Sequence, residues 1–282
     1  MKLCRYGKPG YEKPGLIDAE GRLRDLSKVV DNIGPNEISP RGLKMLSRVK
    51  PETLPPVNGG PRLGVPYVGI GKFVAIGLNY SDHAKEAGLP IPSEPIVFMK
   101  ATTCISGPSD DVIQPKNSTK LDWEVELGVV IGSQARYVDE AAALGHVAGY
   151  CIVNDVSERA FQMATTQWDK GKGFDTAGPI GPWLVTTDEI RDPQTLNMAL
   201  EVNGKRMQTG NTRTMVFSVA KIISHVSHYM TLLPGDIIAT GTPPGVGLGI
   251  KPTPVFLKPG DMMKLTIQGL GEQRQKVVAF SA

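Results

Sequence analysis

Cysteine is scarce in this chain: 282 residues contain three, Cys4, Cys104 and Cys151, an odd number at unrelated spacings. That excludes a disulfide framework as the basis of the fold. Cys151, inside the apolar run Tyr150-Cys151-Ile152-Val153, reads as a buried thiol. Charge of one sign is also lacking. Thirty-one basic against 28 acidic residues leave a formal net charge of only +3, spread along the chain. No nucleic-acid or membrane-surface footprint follows from so slight an excess. No apolar run approaches the roughly 20 residues needed to cross a bilayer. The opening Met1-Lys2-Leu3-Cys4-Arg5 lacks the apolar core of a secretion signal. A reducing cytoplasm is the location these absences predict.

Familiar motifs are missing as well. The loop Thr240-Gly241-Thr242-Pro243-Pro244-Gly245-Val246-Gly247 has no Gly-Lys-Ser/Thr and is not a Walker phosphate loop. The absence of a G-x-G-x-x-G fingerprint counts against a nicotinamide enzyme. Of four histidines, His225 and His228 lie on one amphipathic helix without the glutamate of a zinc-binding His-Glu-x-x-His. They read as structural, and His146 has no local context.

What is abundant is glycine and proline, 32 and 23 residues, which favour a turn-rich β protein. Residues 1–66 read as a small unit: two short strands around Ala19-Glu20-Gly21, a helix over residues 39–49, and a Pro/Gly-rich linker from 51 to 66. The remainder, 67–282, reads as one large unit. Strands are expected over 73–78, 96–99, 123–131, 147–153, 236–239, 262–267 and 277–280. A hairpin is expected over 196–208, turning at Asn203-Gly204. Helices are expected from Asn79 or Ser81 to Gly88, over 138–144 and 157–165, and most clearly over 217–230, where Val219, Ile222, Ile223, Val226 and Met230 recur at helical spacing. The class is α+β, β-rich, with an antiparallel or mixed sheet.

The segment Asp122-Trp123-Glu124-Val125-Glu126-Leu127 alternates as a strand does, placing Asp122, Glu124 and Glu126 on one face. The run continues into Gly128-Val129-Val130-Ile131, which reads as buried on both faces. Two carboxylates there repel unless an ion lies between them; the competing explanation is a solvated sheet face. Asp155 ends the next apolar strand and suits either a third ligand or a helix N-cap. Oxygen-only ligands select Mg²⁺ or Mn²⁺ over zinc. His83 and Glu86 stand three apart on a helix, the geometry of an oriented general base and equally of an ordinary surface pair. Arg159 and Gln162 share a face with Asp155 if the helix there is real. Lys172, in the loop Asp169-Lys170-Gly171-Lys172-Gly173, matters only if that loop folds over the carboxylates.

The order of these segments is more specific than any one of them. Gly77-Leu78-Asn79-Tyr80-Ser81-Asp82-His83-Ala84-Lys85-Glu86, then Asp122 to Leu127, then Asn154-Asp155-Val156-Ser157-Glu158-Arg159-Ala160-Phe161-Gln162, then Lys172-Gly173-Phe174-Asp175, then Thr240 to Gly247 resembles the fumarylacetoacetate hydrolase superfamily. The resemblance covers about residues 70 to 280. It implies a mixed-sheet β-roll core with a small N-terminal domain, a homodimer, and Mg²⁺ or Mn²⁺ on Glu124, Glu126 and Asp155. It further implies a water-activating pair His83 and Glu86, Lys172 as a catalytic cation, and a substrate pocket at Tyr80, Arg159, Gln162, Lys172 and Thr242. The implied reaction is hydrolysis of the C–C bond of a 2,4-diketo acid, such as a 2,4-diketo-3-deoxy sugar acid, to pyruvate and a carboxylic acid. Ureidoglycolate cleavage, oxaloacetate decarboxylation and enol-keto isomerisation or hydration are alternatives at the same site. A non-catalytic β-rich module holding a metal is the alternative outside enzymes. Leu78 departs from the pattern: many acylpyruvase-like members carry arginine there.

Overall fold

A computed structural model describes residues 1–281. In chain order the first elements are β1 (Lys2–Tyr6), β2 (Lys13–Ile17), β3 (Leu23–Asp25) and α1 (Pro40–Leu46). The Ser39 hydroxyl accepts the Gly42 amide to start α1, and Pro40 sits in the first turn, where its missing N–H leaves nothing unpaired. Next come β4 (Phe73–Gly77), α2 (Ser81–Ala87) and β5 (Ile96–Lys100). Gly88 closes α2 in the left-handed conformation, φ 67°. Neither Asn79 nor Ser81 caps α2; Tyr80 holds that position without a side-chain bond. Asn79 is engaged elsewhere, its amide bonded to Phe217 and Thr240.

After the short β6 (Ile105–Ser106) and β7 (Val112–Gln114), the strand expected over 123–131 begins two residues late as β9 (Val125–Ile131), and Leu121–Asp122 ahead of it form a separate β8. The break at Trp123-Glu124 arises because Asp122 accepts the Trp123 amide at 2.8 Å and the Trp123 indole donates to Gly245. After α3 (Glu140–Ala143) and β10 (Val147–Asn154), the helix expected over 157–165 shrinks to one turn, α4 (Arg159–Gln162). Ser157–Glu158 form β11, paired to β8. Glu158, not Asp155, caps the turn by accepting the Phe161 amide at 2.7 Å.

Then follow α5 (Asp169–Lys172), β12 (Gly178–Thr186), the hairpin β13 (Asn197–Val202) and β14 (Lys205–Asn211), α6 (Val219–Tyr229), β15 (Ile237–Ala239), β16 (Met262–Ile267) and β17 (Gly271–Ala279). Asn203 and Gly204 turn the hairpin at φ 51° and 77°, as their residue types predict. The nine-residue β12 has no counterpart in the sequence reading. Pro179 and Pro182 disguise it, and the β10 register shifts between Tyr150 and Ile152 where that proline-bearing half is accommodated.

A ten-stranded mixed sheet runs β3-β2-β1-β12-β10-β9-β15-β4-β5, with β6 joined to β12. A five-stranded sheet runs β14-β13-β16-β17-β7. The molecule is thus α+β and β-rich, with a mixed-sheet core. Strands β9 and β10 are buried on both faces, as their unbroken apolar runs require. Val125 lies opposite Asn154, and Ala239 opposite both Gly128 and Ala75. The start of β9 and the ends of β10, β15 and β4 therefore converge, and the segments leaving those ends carry the acidic and basic residues singled out above. Among the described residues no helix is long and apolar enough to cross a membrane.

Candidate metal centre and active site

The Asp155 amide donates to the Glu124 carbonyl at 2.9 Å, which clamps the end of β10 to the start of β9. Glu126 points from β9 into the same place. Glu124, Glu126 and Asp155 are all buried, and each offers an oxygen within 4.8 Å of the others. Among the described residues this is the only such group of three.

Cations surround two of the three. Glu124 takes Arg159 Nη2 at 2.6 Å and Lys172 Nζ at 2.8 Å. Asp155 takes Lys172 Nζ on Oδ2 and Lys100 Nζ on Oδ1, both at 2.6 Å. Burial alone would raise the Glu124 carboxyl, but Lys172 and then Arg159 hold it below the ordinary range. Among the described residues Glu126 has no ion-pair partner, and its carboxylate's one hydrogen bond is from the Gly241 amide, at 2.8 Å. Burial, then Asp155 and Glu124, push its carboxyl well above the ordinary range. Three buried oxygen donors, one of them lacking a positive partner, fit a hard divalent cation.

His83 and Glu86 meet on α2. His83 Nδ1 lies 3.0 Å from Glu86 Oε2, and Glu86 Oε1 accepts the Gly245 amide at 2.9 Å. A Cβ on Gly249 would fall 2.7 Å from the Glu86 carboxyl carbon, so glycine there leaves room for the side chain. The pair opens into one cavity of about 500 Å³ together with Glu124, Glu126, Asp155, Arg159, Gln162, Lys172 and Thr242. Gln162 accepts Arg159 Nη1 at 3.0 Å. Thr242 donates to the Val125 carbonyl and accepts from Gln208.

Tyr80 corrects the reading of the sequence. It is fully buried, its hydroxyl lies 3.2 Å from Met198 Sδ, and it is not part of the cavity wall. The family resemblance implies a pocket role for Tyr80, but its side chain turns into the core. Asp122, expected on one strand face with Glu124 and Glu126, does not line the cavity but meets Glu124 on a shared guanidinium, that of Arg159. It accepts Arg159 Nε at 2.9 Å and the amides of Gly247 and Leu248 at 2.6 and 3.0 Å. The glycine-rich loop does cradle anions, and they are the chain's own carboxylates: Glu126, Glu86 and Asp122 each take an amide from it. His225 and His228 take no part, His228 Nδ1 pairing with the Ser224 carbonyl. Two residues escaped the sequence reading. Lys100 is fully buried on Asp155 and also donates to the Lys172 carbonyl; a lysine closing the apolar run Ile96–Met99 was its one signal. Gln208 is buried and joins the Val125 amide to Thr242; nothing in its neighbours marks it.

Comparison with known proteins places these features in context. The family model for the C-terminal domain of fumarylacetoacetate hydrolase matches residues 72–278. A protein of Burkholderia multivorans, named as an inferred hydrolase with no substrate specified, is 62% identical over 98% of both chains. The fumarylacetoacetate hydrolase of Exiguobacterium antarcticum superposes with a TM-score of 0.89 at 36% identity, over 99% of this chain and 100% of that one. The maleylpyruvate hydrolase of Sphingobium sp. SYK-6, solved with manganese(II) and pyruvate, has a TM-score of 0.82 at 28% identity over the whole of both chains.

Proposed function

Because the chain belongs to the fumarylacetoacetate hydrolase family, we propose that it is a Mg²⁺- or Mn²⁺-dependent hydrolase that cleaves a 2,4-diketo acid of the acylpyruvate type to pyruvate and a carboxylic acid. The observation that carries this is the opening of the His83–Glu86 pair, 3.0 Å apart, into the cavity that holds Glu124, Glu126 and Asp155. A structural metal site has no use for an oriented base beside it. Manganese and pyruvate held by the Sphingobium relative support the same reading.

A divalent cation held by Glu124, Glu126 and Asp155 supplies the Lewis acidity that a departing pyruvate enolate needs. The rest falls to side chains. Glu86 orients His83 through Nδ1, leaving Nε2 to take a proton from water. The resulting hydroxide bonds to C4, the C3–C4 bond breaks, and its electron pair passes to C3, which takes up a proton. Lys172 is the group we assign to that proton and to the developing negative charge, with Arg159 and Gln162 orienting the acid head. In this reading residues 1–66 form the small N-terminal unit and 67–282 the catalytic unit of a cytoplasmic homodimer.

The test is product release, pyruvate from acetylpyruvate, oxaloacetate and a 2,4-diketo-3-deoxy sugar acid and glyoxylate from ureidoglycolate, each with Mg²⁺, with Mn²⁺ and with EDTA. Release of acetate and pyruvate from acetylpyruvate, dependent on the cation, is the expected result. Turnover of oxaloacetate or ureidoglycolate alone would move the assignment to decarboxylation or lyase chemistry.

A further inference from the structure

Gln208 on β14 and Gln273 and Gln275 on β17 belong to the five-stranded sheet, are fully buried, and bond to the ten-stranded sheet or to the chain entering it. Leu200, Met263 and Leu265 on the strands between them are apolar and as deeply buried. A buried amide is tolerated only with its hydrogen bonds made, where an apolar side chain needs none. The bonds of these three glutamines lead to one place, the main chain of Glu124 and Val125.

Gln273 Nε2 donates to the Ile152 and Gly181 carbonyls at 2.8 and 3.1 Å. Gln273 Oε1 accepts Gln275 Nε2 at 3.0 Å, and the same nitrogen donates to the Pro108 carbonyl at 2.7 Å. Gln275 Oε1 accepts Asn154 Nδ2 at 3.1 Å, and Asn154 Oδ1 accepts the Glu124 amide at 3.3 Å. This line of amides has one direction. Backbone carbonyls accept and never donate, so they fix the NH₂ ends of Gln273 and Gln275. The Gln275 oxygen is then turned to Asn154, and the Asn154 oxygen to Glu124. A reversed Asn154 would set two donors together at Glu124 and two acceptors together at Gln275. The Glu124 amide falls in the break between β8 and β9 and finds its acceptor in a side chain instead of a strand. The Val125 amide is held in the same manner, by Gln208 Oε1 at 2.9 Å.

We propose that Gln275, itself held by Gln273, is a positioning residue for the divalent-cation site. Acting through Asn154, it fixes the main chain from which the Glu124 carboxylate extends. Arg159 and Lys172 both draw on that carboxylate; a fixed backbone keeps it within 4.8 Å of Glu126 and Asp155. The proposal rests on the metal reading above and carries it into the second sheet.

Two measurements separate positioning from packing. Titration calorimetry with Mn²⁺ should show Gln275→Met binding about tenfold more weakly than the wild type, the scale of losing a partner behind a ligand. Gln275→Glu keeps an oxygen towards Asn154 and should return most of the lost affinity. Gln273→Met, one link further away, should weaken binding by less. Leu270→Ala, buried in the turn before β17 and outside the line of amides, should lower the melting temperature and leave Mn²⁺ affinity unchanged. The second measurement needs no metal. Hydrogen exchange read by mass spectrometry should be faster over residues 123–126 in Gln275→Met, with residues 127–131 still protected. If Gln275→Met does not fold, Gln273→Met carries both measurements. Unchanged Mn²⁺ affinity in both methionine variants, unchanged exchange over 123–126, or an equal loss of affinity in Leu270→Ala overturns the positioning role. Wild-type protein that binds no Mn²⁺ overturns the cation site itself, and faster exchange over 123–126 then still supports the hold on Glu124.

Discussion

The Gly245 amide lies 2.9 Å from Glu86 Oε1, across 159 residues of chain, so a loop near the end of the sequence holds the carboxylate that orients His83. The Glu86 carboxylate thus has one oxygen for the backbone and one for the imidazole. Replacing either member of the pair separates binding from turnover. In His83→Asn or Glu86→Gln, kcat for acylpyruvate cleavage should fall by about a hundredfold or more, the usual contribution of a general base. Mn²⁺ affinity, measured by calorimetry, should stay within a factor of about two, because neither residue is among the three carboxylates. A wild-type kcat in His83→Asn would sink the assignment of the base.

Glu126 gives a prediction of two signs. Its carboxylate is buried beside Asp155 and Glu124 with no cation of its own. In EDTA, Glu126→Gln removes that repulsion and keeps the shape, so its melting temperature should equal or exceed that of the wild type. With Mn²⁺ at about a thousand times Kd, the wild type should gain about 4 kcal/mol of stability. The variant should gain little. Thermal melts of both proteins with and without Mn²⁺ check this, and an equal Mn²⁺ shift in the two would remove Glu126 from the ligand set.

Lys100 is buried on Asp155, with side chains 0% and 1% exposed. Removing one member of a buried pair leaves an uncompensated charge, which costs about 3–5 kcal/mol. Lys100→Met should lose that much in urea unfolding followed by fluorescence. A loss under about 1 kcal/mol would show that Lys172 alone neutralises Asp155.

The thiols predict a pH effect. Burial pushes Cys4 up to about 12 and Cys104 up to about 11, and raises Cys151 further. Native protein should therefore resist a thiol reagent at pH 8, and denatured protein should take up three equivalents. The folded state keeps these protons while the unfolded chain sheds them above the ordinary thiol value of 9.0. Their contribution to stability is complete below pH 9 and is lost as pH rises through the folded values. Urea midpoints that do not fall between pH 9 and 11 would contradict it.

What the sequence disclosed was what repeats locally. The helical spacing of Val219, Ile222, Ile223 and Val226 marked α6, and Asn203-Gly204 marked the hairpin. The cluster of Glu124, Glu126 and Asp155 was legible because long apolar runs lead into it. The contacts made between distant segments were not legible. Asp122 is kept out of the cavity wall by Arg159, which it shares with Glu124, and by two loop amides. The one-turn α4 starts later than its pattern suggested because Glu158 is both a strand residue and a cap. Lys100 and Gln208 owe their positions to partners 55 and 83 residues away.

Strand β15 is three residues long, yet it lies between β9 and β4, paired antiparallel to Gly128–Val130 and parallel to Phe73–Ala75. The pairs β9–β10 and β4–β5 join segments close in sequence and can form early. Their facing edges stay open until residues 237–239 arrive and stitch them together. Loop closures of this length make folding slow, and open edges invite pairing between chains. Yield on refolding is therefore a race between capture of this short strand and association of half-built sheets, and dilution favours the native outcome.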